Sequence, residues 1–115
     1  MESGRASKSM SELRRGTVAF CVLALLAQRE RYAVELLADL AAHEALATGQ
    51  GTIYPLLSRL RSDGLLDTTW QESPTGPPRR YYRLTTQGHS ALTVFEGEWA
   101  RFRDAVDELL EKGRS

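Results

Sequence analysis

Between the punctuated stretch Thr48-Gly49-Gln50-Gly51-Thr52 and Gly64, the sequence sets Ile53, Leu56, Leu57 and Leu60 at i, i+3, i+4 and i+7. That is one full apolar stripe of a short amphipathic helix. Pro55 is expected near the helix start, where its missing N–H costs least, and Gly64 just past the end as the stop residue. The stripe commits one side of the helix to a core, so Gln50, Thr52, Tyr54, Ser58, Arg59 and Arg61 are left for the outer surface. A helix this short does not persist alone in water, and the rest of the chain has to pack around it.

The flanking segments supply that packing. Ser11, Arg14 and Arg15 lead into the apolar run Val18 to Ala27, a first helix buried on most of its surface and ending near Gln28. After the charged break Arg29-Glu30-Arg31, Val34, Leu36, Leu37, Leu40 and Ala41 recur at helical spacing and predict a second helix to about Glu44. Downstream of the stripe, Leu65–Glu72 and Arg80–Thr85 are β-prone and separated by Ser-Pro-Thr-Gly-Pro-Pro-Arg. They predict a hairpin with a long tip. Two strands alone are marginal, so the hairpin is expected to lie on the helices through Leu66, Trp70, Tyr82 and Leu84.

Thr85 or Thr86 can cap a final helix, from Gln87 to Leu110. In it Leu92, Phe95, Trp99, Phe102, Val106 and Leu109 alternate steps of three and four, a heptad seam that requires a partner helix. The seam is too short for a free-standing coiled coil. It is expected to pack against the first and last helices of a second copy, making the protein a homodimer. Residues 1–10 lack apolar periodicity and read as a disordered tail, 11–85 as the compact domain and 86–115 as the dimerisation helix.

Composition narrows the function. The chain has 115 residues, 42% of them hydrophobic and 26% charged, which suits one globular domain. Its lone cysteine, Cys21, forms no internal disulfide and fits a small core residue in a reducing cytoplasm. The Val18–Ala27 run is half the roughly 20 residues needed to span a bilayer. The Arg14-Arg15 pair ahead of it resembles an export-signal flank, but no small-x-small cleavage site follows Ala27. His43 and His89 are far apart, and no nucleophile triad, phosphate loop or carboxylate pair is present. The expectation is therefore no enzyme, no metal and no cofactor.

Fifteen basic and fifteen acidic residues cancel overall. Along the chain they separate: residues 1–31 carry a net +3 and 49–85 a net +2, against −3 over 32–48 and −2 over 86–115. A polyanion would have to meet the first and third segments.

The order helix, helix, helix, hairpin, helix is that of a winged helix-turn-helix, mainly α with a small β-hairpin, plus a long C-terminal helix. In that scaffold the third helix enters the major groove. Gln can bond adenine, Thr can meet a thymine methyl or a phosphate, Tyr can donate to phosphate, and Arg can clamp guanine or phosphate. The N–H groups opening the third helix add an anion site. Arg79, Arg80 and Tyr82 on the wing are the expected backbone contacts. Arg14 and Arg15 read either as a helix-end flank or as further backbone contacts. Tyr54 reads either as a DNA contact or as a ring packed on the hairpin. A winged-helix module that uses the same face on an acidic protein instead of DNA is the alternative reading.

Gly51-Thr52-Ile53-Tyr54-Pro55-Leu56-Leu57-Ser58-Arg59-Leu60, then Asp63-Gly64-Leu65-Leu66, then Arg79-Arg80-Tyr81-Tyr82-Arg83-Leu84-Thr85-Thr86-Gln87-Gly88 resemble the PadR family of bacterial transcriptional regulators over roughly residues 13–110. The resemblance implies a dimeric winged-helix repressor with its C-terminal helix in the interface, and often a small aromatic or drug-like inducer. The chain departs from the family pattern at Tyr32-Ala33-Val34-Glu35, where His-Gly-Tyr-Glu is usual. It also has Arg61 where an acidic residue is common, and Pro77 where a basic one is frequent. Phe95, Trp99 and Phe102, doubled by a two-fold axis, would gather rings at one interface, either as packing or as a flat ligand pocket. The partners expected are thus a pseudo-palindromic operator in double-stranded DNA, a second copy and a small aromatic effector.

Overall fold

The computed structural model describes residues 2–114, with side chains described from residue 8 onward. Helix α1 spans Glu2–Gln28, a two-residue strand β1 Arg31–Tyr32, α2 Ala33–Ala41, a 3₁₀ turn Glu44–Leu46 and α3 Gln50–Ser62. Strands β2 (Leu66–Ser73) and β3 (Gly76–Leu84) and the long helix α4 (Thr86–Arg114) complete the chain. The result is a winged helix-turn-helix with an appended helix.

The core draws on every layer. Val18, Val22, Leu23 and Leu26 of α1 meet Leu36 and Leu40 of α2, the α3 stripe, Leu66, Tyr82 and Leu92. Ile53 and Leu57 are wholly buried and Leu56 and Leu60 nearly so, each worth roughly 1.5–3 kcal/mol of apolar burial. Cys21 packs against this cluster at its edge, and burial pushes its thiol pKa up.

The end of α3 is built as the sequence predicts. Gly64 has φ +79, its N–H bonds the Arg61 carbonyl at 3.0 Å, and the Leu65 N–H bonds the Leu60 carbonyl at 3.0 Å. These are the paired bonds of a Schellman stop, in which the left-handed residue is glycine for steric reasons.

Several expectations are corrected. Helix α1 begins at Glu2 rather than Ser11, because no proline or glycine interrupts residues 5–15 and a helix anchored by its buried half propagates at one bond per residue. Helix α2 stops at Ala41, before Glu44. Pro55 sits one turn inside α3 rather than at its start.

The hairpin tip is short, with only Pro74 and Thr75 between the strands. Gln71 opposes Arg79 and Ser73 opposes Gly76, so Pro77 and Pro78 together face Glu72. A proline pair that cannot donate to the ladder is accommodated as a bulge. The hairpin also gains a third strand: β1 pairs antiparallel with β3, Arg31 opposite Tyr82 and Tyr32 opposite Tyr81, giving the order β1-β3-β2. Trp70, expected in the core, is 64% exposed, because the helices end before the strands do.

Candidate nucleic-acid interface

The outer face of α3 is open. Gln50, Thr52, Tyr54, Ser58, Arg59 and Arg61 are all exposed, opposite the buried stripe. Tyr54 keeps 46% of its surface accessible. Gly49 precedes the helix, and its carbonyl accepts from the Thr52 and Ile53 N–H groups at 3.1 and 3.0 Å. Two of the opening amides are therefore satisfied within the turn. Arg59 and Arg61 lie in the last turn, where a cation also complements the helix dipole.

Charge pairing divides the described cations. Several are neutralised locally, Arg29 by Glu35, Arg83 by Asp67, Arg101 by Glu98, Arg103 by Asp104 and Lys112 by Glu108, while Lys8, Arg14 and Arg15 of α1 and Arg114 of α4 have no ion pair with a described residue. Among the described residues, Arg59, Arg61, Arg79 and Arg80 have no carboxylate partner. An unpaired cation keeps its full charge for an anion that arrives from outside.

On the wing, aromatic faces hold the two arginines in place of carboxylates. The Arg79 guanidinium lies 4.6 Å from the Tyr32 ring centroid, and Tyr32 meets Tyr81 edge-on at 5.3 Å. The Arg80 guanidinium lies 5.0 Å from the Trp70 ring. Stacking of this kind orients the guanidinium plane without discharging it. Tyr82, expected to touch DNA, is corrected here. It is only 8% exposed and belongs to the core, since it shares a sheet face with Leu66 and Leu84. Arg14 donates to the Ala45 carbonyl at 3.2 Å and to the Ser11 hydroxyl at 3.3 Å, which fixes it between α1 and the 3₁₀ turn.

The seam on α4 divides in two. Leu92 is 9% exposed and packs inside its own subunit, so it is removed from the expected interface. Phe95 stacks on Phe20 of α1 with centroids 3.9 Å apart and planes 4° from parallel. The ladder continues outward to Trp99 at 6.1 Å and Phe102 at a further 6.3 Å. Trp99, Phe102, Val106 and Leu109 remain 40%, 63%, 39% and 69% exposed. Between this ladder and Met10, Leu13 and Thr17 of α1 lies a largely apolar groove of about 680 Å³. Sequence reasoning missed the α1 wall of that groove, because Met10 and Leu13 stand in a segment with no apolar period.

A three-helix core presents one helix with a polar, cation-bearing outer face and an adjacent arginine-bearing wing. Such a fold defines a winged-helix transcriptional regulator that binds DNA. Comparison with known proteins gives its family. Residues 22–94 match the Transcriptional regulator PadR-like family. A transcriptional regulator of Mycobacterium tuberculosis is 38% identical over 84 residues, 73% of this chain and 77% of that protein. The crystal structure of a PadR family transcriptional regulator from Eggerthella lenta superposes with a TM-score of 0.85 at 37% identity, covering 96% of both chains. A PadR-like regulator from Bacillus cereus superposes at 0.78 with 33% identity, over 86% of this chain and 96% of the other. The chain belongs to the PadR-like family, whose members are regulators and not enzymes. Among the described residues no helix is long and apolar enough to cross a membrane.

Proposed function

We propose that the protein is a homodimeric cytoplasmic repressor. It sets α3 of each subunit into the major groove of a pseudo-palindromic operator and is released by a small planar aromatic ligand bound between the subunits. One observation carries the reading: Arg59 and Arg61 of α3 and Arg79 and Arg80 of the wing stand exposed or half-buried without carboxylate partners among the described residues, whereas Arg29, Arg83, Arg101, Arg103 and Lys112 are each paired. Gln50 bonds adenine, Thr52 meets a thymine methyl or a phosphate, Tyr54 donates to phosphate, Arg59 and Arg61 take phosphate or guanine, and Arg79 and Arg80 take the flanking backbone.

The exposed seam of α4 supports the dimer. By helical rise its 29 residues measure about 43 Å, enough to hold two reading helices near one DNA turn of about 34 Å. The groove beside Trp99 falls within the ordinary range for small-ligand sites, roughly 300–1,000 Å³. A ligand there acts by favouring a subunit arrangement that misplaces both α3 helices.

Mobility-shift titrations on random and genomic fragments at several salt concentrations test the DNA reading. The expected result is salt-sensitive binding with selected fragments bound tighter. Absence of any such binding favours a protein-interaction module. Light scattering on the purified protein reports the dimer, and tryptophan emission titrated with planar aromatics reports the ligand.

A further inference from the structure

The wing carries an aromatic group that neither the core nor the α4 groove uses. In the β2–β3 ladder Leu66 opposes Leu84, Thr68 opposes Tyr82 and Trp70 opposes Arg80. Opposed residues share a face and alternate residues repeat it, so the three pairs form one column. Its inner end is core, with Leu66 at 1% and Tyr82 at 8% exposure, while its outer end emerges as Trp70 at 64%.

Beside Trp70, the Arg80 Nε is buried and has no hydrogen-bond partner. Its terminal nitrogens are open to solvent and equally unpartnered. The guanidinium thus lies beside the Trp70 ring, 5.0 Å from its centroid, with its terminal nitrogens left for an outside acceptor. The nearby carboxylates do not compete: Asp67 engages Arg83 across the strands, and Glu72 stands at the bulge facing Pro77 and Pro78.

We propose that Trp70 and Arg80 form one composite contact to the phosphodiester backbone of DNA. The terminal guanidinium nitrogens bond a phosphate oxygen and the indole lies against the adjoining sugar. The inference rests on the DNA-binding reading and deepens it. An indole held in water beside an oriented, undischarged guanidinium matches a surface that alternates anion and apolar ring. An acidic protein segment would satisfy the arginine but give the indole no regular partner.

The chain has two tryptophans, so the part of the emission change that Trp70→Phe loses reports Trp70. Titrating a 30-base-pair random-sequence duplex into the wild type and W70F, with binding followed independently by anisotropy of a labelled duplex, should show a Trp70 emission change in step with binding. Trp70→Ala should weaken binding roughly three- to tenfold on all sequences alike. It should also lower the salt slope by about one, as Arg80→Ala does, because the guanidinium loses its orientation. Trp70→Phe should retain most of the affinity. Saturated duplex binding with unchanged Trp70 emission, or W70A affinity within twofold of wild type, overturns the contact and leaves the DNA-binding reading standing. A wild-type chain that fails to bind the duplex at low salt overturns both.

Discussion

The Thr85 hydroxyl donates to the Gly64 carbonyl at 2.7 Å and accepts from the Gly88 N–H at 3.0 Å, which joins the stop of α3 to the start of α4. The Thr85 N–H adds a bond to the Leu65 carbonyl at 3.1 Å. One residue thus caps the long helix and bonds the carbonyl of the glycine that stops the reading helix, so a tilt of one helix is felt at the end of the other. Thr85→Val keeps the shape and removes both side-chain bonds. Its expected cost is about 1–2 kcal/mol in urea unfolding, with Thr85→Ser close to wild type. Gly88→Ala should cost more, about 2–3 kcal/mol, because a Cβ there would lie 2.3 Å from the Leu65 carbonyl oxygen and 2.5 Å from Leu84 Cδ1.

Arg31 is buried at 5% exposure. It bonds Asp39 at 2.6 Å, the Arg29 carbonyl and the Gln28 side chain at 3.3 Å, and the Leu25 carbonyl. It ties the end of α1, β1 and α2 together. Removing Asp39 leaves a buried guanidinium with only neutral acceptors, whereas Arg31→Met removes the charge itself. The Asp39 side chain is 36% exposed, so Asp39→Ala should cost about 2 kcal/mol, less than a fully buried pair. Arg31→Met should cost less than that. Chemical denaturation of both variants gives the ranking, and the reverse order would mean that the pair itself is net stabilising.

These two connections mark where sequence reasoning succeeds and stops. The α3 stripe, Gly64 and the Thr85 cap are local: spacing, φ preference and capping chemistry are read within a few residues. Arg31 stands beside Arg29 and gives no local sign that one is buried and the other exposed. Its partner is eight residues away, and its strand is two residues long. Tyr82 and Trp70 show the same limit on the sheet. Alternation says that they share a face, but how far outward the core reaches along that face depends on where the packed helices end.

Arg59 and Arg61 carry the sharpest prediction on DNA. Both are exposed on α3 with no carboxylate partner among the described residues, so neutralising them should leave folding intact. Substitution to Ala should reduce the salt slope of binding by about one where the arginine meets phosphate. Where an arginine meets guanine, the loss should be about 1–3 kcal/mol and confined to sequences that carry the base; where it meets phosphate, the loss should be uniform. Titrations against a small set of mutated fragments distinguish the two roles for each residue.

The α4 seam should behave as two segments with a boundary at Phe95. Leu92 fills its own subunit's core, so Leu92→Ala should cost about 2–3 kcal/mol of unfolding free energy with the oligomeric state unchanged. Phe102 is 63% exposed in the isolated chain and makes its only described ring contact with Trp99. Phe102→Glu should therefore spare the subunit's fold and strike the association, raising the dimer dissociation constant at least roughly a hundredfold, about 3 kcal/mol. Sedimentation equilibrium with circular dichroism on both variants separates these outcomes. If F102E remains dimeric at low micromolar concentration, the exposed half of the seam is not the interface, and the groove beside Trp99 opens to solvent instead of to a second subunit.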